Sequence, residues 1–309
     1  PVIKTTPLPD FGAEEWILGN NVRVIYKKAD FEKDNVLLSA FSYGGISLLD
    51  DDQVLTANLL PTLSDMYGAG DFDNVTLQKM LAGKQAGVSV SLGETTESIA
   101  GTSTPRDLET MMQLLWLKFA APRFDSVAHS AIIDRYSSFL ANMEKDPQKI
   151  MSDSLSLIIT GHNPRTPILT RKGVASITLD EVREIYTGRF RDASQFIFFI
   201  VGNVDRELLQ PLVEKYIGSL PVDNVREKWI DRKVRQPHGR INREISIPLT
   251  VPKASVYMVF SEELKYKPAN YLGVDVIGAI LDIVLTQKIR EEEGGTYGVE
   301  VSLAASKRP

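Results

Sequence analysis

Apolar positions recur along the chain with two periods, and each period predicts a different kind of element. Branched and aromatic residues crowd into short runs at 22–26, after the turn-forming pair Asn20-Asn21, and at Val36–Tyr43. Both runs read as strands. Helical spacing begins at 53–66, where Val54, Leu55, Leu59, Leu60 and Leu63 recur, and Asp73 stands at the start of a short helix through Leu81. Residues 85–92 and 95–102 flank Gly93-Glu94 and predict a β-hairpin. Thr104-Pro105-Arg106-Asp107 then supplies an N-cap, a proline at the first helical position and an acid in the first turn. Leu108, Met111, Met112, Leu115 and Phe119 follow on one face, the methionines as core filler. Further helices are expected at 125–144, at 147–160 and, from the capping box Thr178-x-x-Glu181, at 178–188. Residues 195–201 form an apolar strand, and Gly202-Asn203 turns it into a helix over 205–217 carrying Leu208, Leu209, Leu212, Val213, Tyr216 and Ile217.

Two stretches break the pattern. Residues 1–15 are proline-rich and irregular, reading as an incoming linker. Residues 222–239 are charged, flanked by proline and without periodicity, which marks a boundary between a first domain, 1–221, and a second, 222–309. Beyond it, 240–248 and 254–260 read as strands, 268–292 as a long helix and 296–304 as a last strand. This second domain is shorter than the first and reads as incomplete, with a sheet edge that another segment must cover.

Composition narrows the field. A chain of 309 residues, 43% hydrophobic and 24% charged, fits about two ordinary globular domains. A net charge of −5 argues against nucleic acid or an anionic membrane as the main partner. No apolar run approaches the roughly 18 residues needed for a membrane span, and the first residues do not read as a signal peptide, although a processed start would look the same. The absence of cysteine excludes disulfides, a thiolate nucleophile and a cysteine metal site. His129, His162 and His238 form no H-x-x-x-H or H-x-x-E-H pair and read as surface or boundary residues. Asp50-Asp51-Asp52 lacks the alternating spacing of a calcium loop and reads as a solvated helix start.

Chemistry concentrates near the C-terminus, in Ile289-Arg290-Glu291-Glu292-Glu293-Gly294-Gly295-Thr296-Tyr297-Gly298-Val299. Here the long helix ends, two glycines reverse the chain, and a strand-like run opens. A guanidinium with fixed donors and a neutral phenol, brought to one cleft, suit gripping a peptide carbonyl and hydrogen-bonding an oxyanion. The same spacing also fits a surface arginine at a helix end followed by a half-buried strand tyrosine.

The ordered run SAFSYGG, STPRDLETMMQLL, FIVGNVD and IREEEGGTYGV resembles the pitrilysin/insulysin family, the inverted zincins related to mitochondrial processing peptidase. The resemblance spans essentially the whole chain and is to the C-terminal half of a long, four-domain form. It implies an α+β fold of mostly antiparallel sheets, each covered by helices on one side. It also implies that Arg290 holds substrate carbonyls, that Tyr297 donates to the tetrahedral oxyanion, and that a zinc-bearing N-terminal half, in the same or a separate chain, closes with this one around a peptide substrate. Where the catalytic domain of the family carries H-x-x-E-H, this chain reads Leu55-Thr56-Ala57-Asn58-Leu59-Leu60-Pro61-Thr62-Leu63, without histidine or glutamate. The chain alone is therefore expected to hold no metal and to be silent as a peptidase. An alternative within the same fold is a purely structural or binding module, like the core proteins of respiratory complexes; retention of both Arg290 and Tyr297 favours the peptidase. The family also suggests the bacterial periplasm or envelope.

Overall fold

The computed structural model describes residues 1–249 and 251–305, in two compact units, Pro1–Val251 and Pro252–Pro309. The first unit is organised by seven strands: β1 (Val2–Leu8), β2 (Ala13–Leu18), β3 (Arg23–Lys28), β4 (Val36–Tyr43), β5 (Ala86–Leu92), β6 (Thr96–Ser103) and β7 (Ile197–Gly202). They form one sheet in the order β1-β2-β3-β7-β4-β6-β5. All neighbours are antiparallel except β3 and β7.

The period of two in β4 sends Leu38 and Ala40 into the core and leaves Leu37 and Tyr43 outward. Central β7 buries Phe198 and Ile200 on one face and half-buries Ile197, Phe199 and Val201 on the other. A strand apolar on both faces is what an unbroken hydrophobic run encodes.

Helices α1 (Val54–Met66), α2 (Asn74–Met80), α3 (Leu108–Ala120), α4 (Ser126–Met143), α5 (Pro147–Ile159), α6 (Arg171–Ala175), α7 (Leu179–Phe190) and α8 (Arg206–Leu212) complete the unit. Leu60 and Leu63 of α1, Met111, Met112 and Leu115 of α3, and Val182 and Ile185 of α7 share one core with the inward residues of the sheet. Phe119 meets Phe196 edge-on at 5.3 Å. The expected helix starts are capped as their sequences suggest: Asp73 accepts from the Thr76 N–H at 2.7 Å, and the Thr104 hydroxyl from the Asp107 N–H at 3.1 Å.

Several expectations need correction. Residues 1–15 are no linker: β1 and β2 pair across Leu8–Ala13, and Trp16 of β2 is fully buried. Pro7 hid the strand, but β1 lies at the sheet edge, where a missing N–H is tolerated. The capping box of α7 is only half formed. Thr178 accepts from the Glu181 N–H, but the Glu181 carboxylate accepts instead from the Thr56 hydroxyl at 2.8 Å. Short α6 falls between the expected helices, and the helix begun by α8 ends in a wide π-helical turn, Val213–Ile217. By spatial grouping the first unit extends to Val251 and takes in the charged stretch after residue 221.

In the second unit the long helix α9 (Pro268–Leu285) continues into a π-helical turn, Thr286–Glu292, as the apolar stripe foretold. The expected strands at 240–248, 254–260 and 296–304 are irregular throughout. A strand persists only when its backbone groups meet a ladder partner, and among the described residues these segments have none.

Candidate functional site

Three places come into question: the loop that follows β4, the helix α1 after it, and the turn after α9. Gly45, two residues past β4, takes φ +60°, and a Cβ there would lie 2.4 Å from the Gly93 carbonyl oxygen, so only glycine fits. That close approach brings the Gly45 N–H to Glu97 Oε1 at 2.8 Å, while the Ser42 hydroxyl donates to Oε2 at 2.7 Å. Arg189 of α7 completes the cluster, at 3.1 Å from Glu97 and 2.8 Å from Glu227. Glu97 is 1% exposed, yet every charge in the cluster has a partner. Such an arrangement orders a loop and leaves no group free for acid–base work. Nearby Arg165 donates to the carbonyls of Ile46 and Leu49 and pairs with Asp51 at 2.6 Å. The aspartate run does start a helix: Asp50 and Gln53 form a reciprocal capping box. Sequence reading missed the Glu97–Arg189 pair, whose only signal was a lone acid inside an alternating strand.

Helix α1 lies where the family resemblance would seek zinc. Val54, Ala57, Leu60 and Leu63 face the core, Pro61 stands inside the helix, no histidine or glutamate is present, and the one carboxylate, Asp65, pairs with Lys118 at 2.5 Å. Catalytic zinc takes three protein ligands and an open position, so the residues present do not fit the ion. Nor do the histidines substitute. His129, expected at the surface, is buried: its Nδ1 meets the Tyr67 hydroxyl at 2.7 Å and its Nε2 the Ile177 carbonyl at 3.1 Å. Burial pushes the Tyr67 phenol well above its ordinary range, so it stays a neutral donor. His162 and His238 are exposed. Among the described residues, no three or more of His, Cys, Asp and Glu are grouped to hold a metal.

The turn after α9 carries the two residues marked by the sequence. Arg290 lies within Thr286–Glu292, where the Glu293 N–H reaches back to the Lys288 carbonyl at 3.1 Å. Gly294 takes φ +60° and the Gly295 N–H closes on the Ile289 carbonyl at 3.0 Å, the expected glycine stop. Lys288 bonds Glu292 at 2.9 Å and Glu293 at 3.2 Å, which raises its own pKa. Arg290 forms no hydrogen bond or ion pair with another described residue. Thr296 and Gly298 bond each other locally, and between them Tyr297 projects fully exposed.

Residues 176–308 match the family model described as the Peptidase M16 inactive domain. A zinc protease PQQL-like protein of Arabidopsis thaliana is 24% identical over 319 residues, covering 96% of this chain and 29% of its own length. The probable zinc protease PqqL of Haemophilus influenzae is 18% identical over 287 residues, covering 92% and 30%. The chain thus spans less than a third of the length of these curated relatives. Among solved structures, the periplasmic protease PqqL from Escherichia coli superposes with a TM-score of 0.77 at 17% identity, over 99% of this chain and 34% of that one. A mutant of the ferredoxin protease FusC, in complex with Arabidopsis ferredoxin, gives 0.73 at 16% identity, over 96% and 32%. The mixed α+β fold with its mostly antiparallel sheet agrees with both. By these matches residues 176–308 carry a Peptidase M16 inactive domain, and the chain is homologous over nearly its whole length to PqqL-like zinc proteases.

Proposed function

We propose that the chain serves as the non-catalytic half of a zinc endopeptidase, helping to enclose a peptide and completing the site of a half that carries H-x-x-E-H. Arg290 holds carbonyl groups of an extended substrate, and Tyr297 donates its hydroxyl hydrogen to the oxyanion of the tetrahedral intermediate. The observation that carries this reading is the state of Arg290: it stands beside three glutamates, two of them engaged by Lys288, and its guanidinium has no partner among the described residues. A fork of fixed donors left free in this way suits planar carbonyl recognition. A tyrosine hydroxyl is a hydrogen-bond donor that can stabilise developing negative charge. The absence of histidine and glutamate from α1 supports a division in which the other half holds the metal and this chain alone is inactive. The periplasmic compartment of the Escherichia coli structure extends to this chain under the same proposal. No helix among the described residues is long and apolar enough to cross a membrane.

The test compares this chain alone with the full assembly that includes the zinc-bearing half. Alone, it should bind no zinc and cleave no peptide. In the assembly, Tyr297→Phe should lower kcat/KM by about 10²- to 10³-fold with zinc content unchanged. An unchanged kcat/KM refutes the role of Tyr297, and cleavage by the isolated chain refutes the division of labour. Association of the halves without cleavage by the unmodified assembly points instead to a scaffold.

A further inference from the structure

Residues 223–235 have no regular secondary structure, yet they are tied to the first unit at close intervals. The N–H groups of Asp223 and Val225 donate to the two carboxylate oxygens of Asp192, at 3.0 and 3.1 Å. The Glu227 N–H donates to Gln195 Oε1 at 3.3 Å. Asn224 between the first two donors takes φ +56°, and the N–H groups of 223, 225 and 227 all turn to the body of the unit. A strand would meet carbonyls there; this segment meets side chains.

Farther along, the Ile230 N–H donates to the Ser47 hydroxyl at 2.9 Å, and Arg232 donates to the carbonyls of Ser47 and Leu49 at 2.6 and 3.0 Å. Arg189 reaches Glu227 from its buried contact with Glu97, and Arg191 pairs with Asp223. No residue between 223 and 235 is buried. The attachment is made of hydrogen bonds and ion pairs, each of modest net strength, and owes little to apolar burial. Segments held in that manner open locally, without global unfolding.

We propose that residues 223–235 form a releasable strap whose docking sets the conformation of the loop between β4 and α1. The carbonyls of that loop are gathered by two guanidiniums, Arg165 from the body and Arg232 from the strap, and both donate to the Leu49 carbonyl. Ser47 is 1% exposed and takes two bonds from the strap, one at its hydroxyl and one at its carbonyl. Undocking strips this buried residue of both at once, so loop and strap change state together. Because the strap leads along the chain toward the second unit, the loop after β4 is coupled to the segment that precedes that unit in sequence.

Hydrogen exchange on the full chain tests the coupling. Arg232→Met should raise exchange about tenfold or more, both along 223–230 and at Ile46, Ser47 and Leu49, with β4 and β7 unchanged. Asp192→Asn, which touches only the far end of the strap, should also raise exchange at 46–49. Gln195→Ala serves the same purpose if Asp192→Asn fails to fold. The proposal is overturned if each variant loosens only its own contacts. It is equally overturned if the strap amides exchange as slowly as those of β4 and β7, since the strap would then open only with the whole unit.

Discussion

The two units treat their apolar residues in opposite ways. In Pro1–Val251 the hydrophobic pattern is consumed: Trp16, Phe198 and Met111 reach 0% exposure behind one sheet. In Pro252–Pro309 the pattern is equally clear, yet α9 buries no residue, and Leu272, Ile280 and Ile283 are each more than half exposed. Amphipathic spacing was enough to form the helix, since helix hydrogen bonds are internal. It was not enough to form the strands, whose bonds need a neighbour. The contrast shows which information is local. A helix can be complete in its own sequence; a strand cannot.

The largest effect that probes this contrast is core truncation. Phe198→Ala should cost about 3–5 kcal/mol in urea unfolding, while Ile280→Ala in α9 should cost no more than about 0.5 kcal/mol. Equal losses would mean that α9 finds a packed partner in solution. Next come two arginines, each in the last turn of its helix. Arg189→Met strands the buried Glu97 carboxylate and should cost about 3 kcal/mol, whereas Arg290→Met should change stability by less than about 0.5 kcal/mol. A large loss from Arg290→Met would make it a structural residue and remove the ground for its substrate role.

The smallest effect concerns acid. The Asp107 carboxyl is held below its ordinary range, chiefly by the Gln85 N–H. Burial pushes Asp192 upward, but its bonds from Ser194, Asp223 and Val225 together outweigh that and bring it low. A carboxyl depressed in the folded state contributes stability above its unfolded pKa, about 3.9, and loses it as pH falls through the folded value. The urea midpoint of the first unit should therefore drop below about pH 4, and Asp192→Asn should flatten that drop. A drop of unaltered slope in Asp192→Asn would show that the bonds of Asp192 do not persist in solution.

What the sequence made legible follows the same division between local and distant information. The bounds of β4, the caps at Asp73 and Thr104, and the stop at Gly294 are written in neighbouring residues and could be read directly. The β1–β2 hairpin was hidden because an edge strand tolerates the proline that argues against a central one. Burial of His129 depends on Tyr67 and Ile177, far away in the chain, and no local pattern announces it. The strap read as a domain boundary because its partners, among them Arg189 of α7, Asp192 and Gln195 before β7 and Ser47 in the loop after β4, lie far away in the chain. Arg290 and Tyr297 were visible as a motif, and the turn that joins them follows from the glycines. The chemistry proposed for them calls on groups outside this chain.

The placement of β7 has a consequence for the newborn chain. Strands β3 and β4 follow one another in sequence but are not neighbours, because β7 lies between them. As the protein is made, the interval from Tyr43 to Ile197 must leave the ribosome before that gap can be filled. At roughly 5–20 residues per second, this takes about 8–30 s. Throughout that time the inner edges of β3 and β4 must avoid pairing with each other, or with another chain, and the last strand to emerge is the one that locks the sheet.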